Sequence, residues 1–144
     1  MKKTIITLIC LTVLAAPLFA NAPNEKVLKI FNETFSSPKD ATWYDHTDFY
    51  DVSFVQAGIR STIKYDKEGN FLSSIRYYGQ ENLPVNIACQ LNKRFPKKKL
   101  FGVTEWTTSQ EVTYYIKLED EKFWTTLKVS NNGLVQVYEK YRKA

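Results

Sequence analysis

Three short stretches carry the residue types from which reactive centres are built. The lone histidine lies in Asp45-His46-Thr47-Asp48, an imidazole between carboxylates that would suit a metal site or an acid–base pair. Zinc sites take three or four N and S ligands, so this stretch reads as polar turn chemistry. Asp66-Lys67-Glu68-Gly69-Asn70 has the look of a calcium loop but lacks its length and its later bidentate glutamate; it reads as a hairpin turn. Cys89 sits beside Ala88 in the second expected helix, close to its apolar stripe. A nucleophilic thiol needs a nearby histidine or a helix N-terminus, and a packed free cysteine is expected instead. No G-x-S-x-G, Gly-rich phosphate loop or H-E-x-x-H occurs in the sequence. The chain is therefore expected not to be an enzyme, with no catalytic residue, no metal and no cofactor.

Binding chemistry is better represented. Arg60, Arg76, Tyr78, Tyr115, Lys117, Trp124, Lys128 and Tyr138 are of the cationic and aromatic types found at protein–protein interfaces, where Arg, Tyr and Trp dominate hot spots. Period-two alternation places all eight on one face of a sheet. Lys64 and Lys140 share it, and Asp51 is its only clear acid. A field of one sign would steer an acidic partner. The plainer reading is a solvated sheet with cross-strand aromatic pairs, but an indole such as that of Trp124 is seldom needed on a wet strand.

The elements that must position these residues follow from the same pattern. Val27, Leu28, Ile30, Phe31, Thr34 and Phe35 recur at helical spacing, with Asn24 as cap and Pro38 as stop. Ile87, Ala88, Leu91 and Phe95 form a second stripe, entered through Pro84 in the first turn and closed by Pro96. Four strands are expected after each helix, near 41–45, 49–56, 59–66 and 70–78, then 101–107, 111–118, 123–130 and 134–141. Gly69 and Gly133 supply the positive φ that two of the hairpins need. The face opposite the cations collects Tyr50, Val52, Phe54, Ile59, Ile63, Tyr65, Phe71, Ile75, Tyr114, Ile116, Leu118, Phe123, Leu127 and Val129, a core for the helices to cover. Two helices cannot cover both faces, so the cationic face is expected to be open.

An offset of 64 residues sets Phe31 on Phe95, Tyr50 on Tyr114, Val52 on Ile116 and Gly69 on Gly133, which suggests an internal duplication. The expected fold class is α+β: a tandem repeat of helix plus four antiparallel strands, about 24–79 and 83–142. It forms two layers, with helices on one face of a curved sheet and the other face open.

Met1-Lys2-Lys3, the apolar run Thr4–Leu14 and the small residues Ala20-Asn21-Ala22 have the three parts of a secretory signal peptide. Cleavage is expected after Ala20 or Ala22, leaving a single domain from residue 21. The apolar run is short of the ~20 residues that a spanning helix needs. Export removes Lys2, Lys3 and Cys10, so 18 basic residues face 15 acids for a net +3, and Cys89 is the one remaining thiol. A disulfide scaffold is thereby excluded. A periplasmic or secreted location argues against a nucleic-acid partner, and Lys97-Lys98-Lys99 with Lys93 and Arg94 reads as a solvated connection. With 24% charged, 44% apolar and 15% aromatic residues, the composition is globular.

Short motifs run the length of this chain: Phe35-x-x-Pro38 then Trp43, Ile63-Lys64-Tyr65-Asp66-x-x-Gly69-Asn70-Phe71-Leu72, Asn82-Leu83-Pro84, Lys93-Arg94-Phe95-Pro96, and Leu127-Lys128-Val129-Ser130 before Gly133. In them the chain resembles the beta-lactamase-inhibitor-like, PepSY-like proteins exported by Bacteroidetes. The resemblance implies a tandem repeat with a concave sheet and no catalytic residue. Shape does not carry activity, and no beta-lactamase inhibition is expected. The expected function is an exported, non-catalytic binding module, an inhibitor or regulator of a periplasmic protein with an acidic surface. The alternative is a small-molecule or lipid-binding protein of the envelope that uses the same face.

Overall fold

The computed structural model describes residues 22–36 and 38–144. The expected signal segment and its cleavage points at Ala20 and Ala22 lie outside, or at the margin of, the described residues. Asn24 caps the first helix, α1 (Glu25–Thr34), its side-chain oxygen accepting from the Val27 N–H at 3.0 Å. The Asn24 amide donates to the Lys67 carbonyl at 2.8 Å, tying the helix start to the third hairpin in the chain. The second helix, α2 (Val85–Arg94), follows a short 3-10 turn, Gln80–Asn82. Pro84 stands at its N-cap, one position before the first turn.

Among the described residues there are eight strands: β1 (Lys39–Asp45), β2 (Phe49–Gln56), β3 (Ile59–Asp66), β4 (Phe71–Tyr78), β5 (Lys99–Thr108), β6 (Val112–Glu119), β7 (Phe123–Ser130) and β8 (Val135–Arg142). They form one antiparallel sheet in sequence order. The ladder passes without a break from β4 to β5, where Ser73–Tyr78 pair with Thr108–Val103.

This corrects the expected fold class. The molecule is mostly β, organised by one continuous eight-stranded meander, rather than an α+β repeat of helix plus four strands with a helical layer over the sheet. The reason is one of size. A ten-residue helix is ~15 Å long and ~10 Å across, whereas eight strands at ~4.8 Å spacing make a sheet more than 30 Å wide. Each helix buries only two large side chains, Val27 and Phe31 in α1, Ile87 and Leu91 in α2. Phe31 and Phe35 meet Phe54 and Trp43 in tilted and edge-on contacts at centroid distances of 4.8–5.2 Å, each worth ~0.5–1.5 kcal/mol beyond area burial. A second cluster gathers Ile87 and Leu91 with Val103, Ile116, Leu118 and Leu127.

Inward positions on β2, β3, β6 and β7 alternate as expected, with Tyr50, Val52, Phe54, Ile63, Tyr65, Tyr114, Ile116, Leu118, Leu127 and Val129 buried. The expectation fails on β4. Tyr65 pairs with Phe71 but Lys64 pairs with Ser73, so Leu72 is an extra residue and the parity of everything after it is inverted. Ser74, Arg76 and Tyr78 turn to the core side, opposite Ile63, Ser61 and Val103, while Ile75 turns away from it, opposite Thr62 and Trp106.

Two glycines have the backbone that only glycine holds cheaply and also sit tight. At Gly69 (φ +90°) a Cβ would lie 2.6 Å from Ile30 Cδ1, so the β3–β4 hairpin is pressed against α1. At Gly133 (φ +84°) it would meet the Gln90 side chain of α2 at 3.4 Å.

Candidate functional site: the outer face of the sheet

The sheet face away from the helices is built by cross-strand register. One row of directly paired residues reads Val55, Arg60, Tyr77, Thr104, Tyr115, Lys128 and Gln136, one residue from each strand from β2 to β8. The next row carries Gly102, Lys117, Thr126 and Glu139, and beyond it Glu119, Trp124 and Tyr141 are aligned. Tyr115 and Trp124 therefore share one face. No helix side chain packs on it among the described residues, since both helices bury into clusters of the opposite parity.

Six of the eight sequence-predicted residues lie on this face: Arg60, Tyr115, Lys117, Trp124, Lys128 and Tyr138. Tyr115, Lys117, Trp124, Lys128 and Tyr138 are close together on β6–β8; Arg60 stands apart on β3, joined to them through Tyr77. The Lys117 ammonium lies 4.8 Å from the Trp124 ring centre, 5.8 Å from Phe101 and 5.7 Å from Tyr141, in range for cation–π attraction. Lys143 lies 4.7 Å from the same indole and pairs with Glu119 at 3.1 Å. Phe101 packs edge-on against Trp124 at 5.0 Å, and Tyr138 against Tyr115 at 5.3 Å. Beyond Gly102 and its chain neighbours, no atom of the described residues lies within 4 Å of where a Cβ would be, and the gap floors a shallow groove of about 320 Å³ between Tyr77, Phe101, Tyr115 and Lys117. Arg60, Lys64, Lys117 and Lys128 have no carboxylate partner among the described residues.

Arg76 and Tyr78 are not on this face. The bulge at Leu72 carries them to the helix side, where Arg76 Nη1 donates to Glu105 Oε1 at 3.1 Å and the Tyr78 hydroxyl donates to Glu105 Oε2. Burial, then the carboxylate it donates to, pushes the Tyr78 phenol well above its usual range. Lys140 is likewise displaced: Tyr138 is an extra residue between Val137 and Glu139, which puts Lys140 opposite Thr125 with its ammonium 4.3 Å from the Phe123 ring.

Sequence reasoning missed Phe101, Tyr141, Lys143, Tyr77 and Trp106. Phe101 and Tyr141 owe their facing to bulges between Leu100 and Gly102 and at Tyr138, which a strict two-residue period cannot show. Glycine within the expected strand at Gly102 was the one available signal, because glycine inside a strand marks a bulge or an open floor.

The remaining candidates resolve into structure. His46 closes the β1–β2 turn, stacked on Phe49 at 4.3 Å with Nε2 3.2 Å from Asp51 Oδ2. Asp66 accepts from the N–H groups of Glu68 and Asn70 and from the Asn70 amide at 2.7–3.0 Å; the Asn70 side chain leads in lowering its pKa. Cys89 is exposed rather than packed, because it falls on the outer side of α2 between the buried Ile87 and Leu91. Lys98 is no loose solvated charge, since it pairs with Asp120 and donates to Thr125 Oγ1 at 3.2 Å. Among the described residues no three His, Cys, Asp or Glu converge as metal ligands, and no helix is long and apolar enough to cross a membrane.

No family model matches the chain, and no curated protein matches it in sequence. Solved structures do match it in fold. A DUF2874 family protein from Bacteroides ovatus superposes with a TM-score of 0.61 at 12% identity, covering 85% of this chain and 89% of that one. A BLIP-like protein from Bacteroides fragilis gives 0.60 at 13% identity, covering 84% and 86%. A Bacteroides eggerthii protein, provisionally described as periplasmic, gives 0.60 at 10% identity over 84% and 89%. The likeness to exported beta-lactamase-inhibitor-like proteins drawn from the motifs thus has a structural counterpart, and the chain has the fold of the DUF2874 and BLIP-like proteins of Bacteroides.

Proposed function

We propose that this protein is an exported, non-catalytic module that binds an acidic protein surface through the outer face of its sheet. The observation that carries the reading is the Lys117–Trp124 cluster with its neighbours Phe101, Tyr141 and Tyr115 on a face no helix covers. Large rings in reach of unpaired cations give both the contact area and the charge that recognition uses. An export-type N-terminal segment, and neighbours described as periplasmic and BLIP-like, support a periplasmic binding or inhibitor-like role. A beta-lactamase inhibition assay is expected to show no effect, since nothing in the face is specific to that enzyme.

The test is photocrosslinking in the organism of origin, with a benzophenone amino acid placed at Thr126 or Tyr138 on the face and at Val85 on α2. A discrete adduct from the face positions alone, reduced at least severalfold by K117E, supports the reading. Equal adducts from all three positions, or none from the face, would overturn it.

A further inference from the structure

A larger cavity, of about 600 Å³, lies on the other side of the sheet, between α1 and the middle strands. It exists because the two helices are too short to roof the sheet and because two inward positions carry small residues. Ser61 and Ser74 stand where their neighbours on the same face are Phe54 and Ile63. The walls are apolar, from Ile30, Phe35, Phe54 and Phe71, and Arg76 is the one charged residue among the described residues that line it. Its size and make-up match a small-molecule site, apolar with a few polar groups that fix orientation.

Those polar groups are unspent. Neither serine hydroxyl makes a hydrogen bond among the described residues, and no fully buried side-chain atom is left unpaired, so both hydroxyls are reachable from the cavity. Of the Arg76 guanidinium nitrogens only Nη1 donates a hydrogen bond among the described residues, to Glu105. Glu105 is not among the described residues that line the cavity, and its other carboxylate oxygen accepts from the Tyr78 hydroxyl. What the cavity offers is thus a partly free guanidinium fork at one end of an apolar trough. A carboxylate matches that fork in shape and charge.

We infer that this cavity binds a single-chain carboxylate amphiphile, its head at Arg76, Ser61 and Ser74 and its tail along Ile30, Phe35, Phe54 and Phe71. The site is independent of the outer face, so either assignment can fail without the other.

Decanoate is the probe, below its micelle concentration, followed by calorimetry and by amide shifts of the purified protein. Saturable binding is expected, with shifts at Ile63, Ser74 and Phe71 and none at Tyr115 or Trp124. Ser74→Leu fills the trough and Arg76→Gln removes the fork; each is expected to weaken binding about tenfold or more, as is replacing decanoate by decanol. No saturable binding, or shifts confined to the outer face, would overturn the inference. Equal affinity for decanol and decanoate would overturn the role of Arg76. Should either variant fail to fold, the wild-type shift map and the decanol comparison still decide.

Discussion

At the scale of single residues, the polar trio of Arg76, Glu105 and the buried Tyr78 is the feature with the clearest energetic consequence. Tyr78 donates to a carboxylate that has little access to water. Tyr78→Phe keeps the ring but removes that bond, and is expected to cost about 1.5–3 kcal/mol in urea unfolding. Because folding raises the phenol above its ordinary value, its contribution is complete below pH ~10 and is lost as pH rises further. Asp120 works in the opposite sense. The Lys98 ammonium, followed by the Lys122 and Phe123 N–H groups, holds its carboxyl well below the usual range. Its contribution is therefore complete above the unfolded value of ~3.9 and fades as pH falls towards the folded one. Asp120→Asn should lower the melting temperature at pH 7 and flatten its decline between pH 5 and 2; an unchanged decline would show that Asp120 plays no part in acid unfolding.

At the scale of elements, the hairpins and helices hold each other. Gly58 and Gly69 both have positive φ, at +78° and +90°, but only Gly69 is pressed on a helix. Alanine at Gly58 should cost ~1–2 kcal/mol, the price of a left-handed backbone. Gly69→Ala must also displace Ile30 and should cost measurably more. Equal losses would mean that α1 shifts freely on the hairpin. Asn24→Ala removes both the α1 cap and the bond to the Lys67 carbonyl, with an expected loss of ~1–2 kcal/mol. Bulges are the other elements that matter. Leu72 and Tyr138 as extra residues, and the break in register at Phe101, decide which side chains reach the outer face.

At the scale of the whole molecule, the unbroken ladder from β4 to β5 joins two hydrophobic clusters that share no buried residue. Unfolding should then be a single transition, since separating the clusters means breaking a central pair of strands. In a variant keeping only Trp43, which packs in the α1 cluster, and in one keeping only Trp106, at the β5 seam, fluorescence and far-UV circular dichroism should give coincident urea midpoints. Fluorescence and dichroism midpoints that differ within one variant by more than about 0.3 M would show two units folding separately. The outer face has a matching consequence. Its unpaired cations predict that partner binding weakens with salt, and Gly102→Trp, which fills the groove between Tyr77 and Tyr115, should abolish binding while leaving the midpoint nearly unchanged.

Much of this molecule is legible in local chemistry. Eight strands begin and end within two residues of where alternation places them, and both helices follow their apolar stripes, because periods of 2 and 3.6 are properties of the backbone itself. Asn24 caps α1 as its amide chemistry predicts, and Tyr115, Lys117, Trp124 and Lys128 fall on the same side because no bulge intervenes on β6 or β7. Arg76 and Tyr78 were not legible. One inserted residue at Leu72 turned them over, and a bulge leaves no mark in hydrophobic alternation when serine, arginine and tyrosine tolerate either side. Sequence alone determined the elements and the parity within each unbroken strand. Tertiary structure decided the register between strands, the breaks in it, and the mostly-β character, since hydrogen-bonded pairing is set between segments and the reach of a ten-residue helix matters only against the width of the sheet it meets.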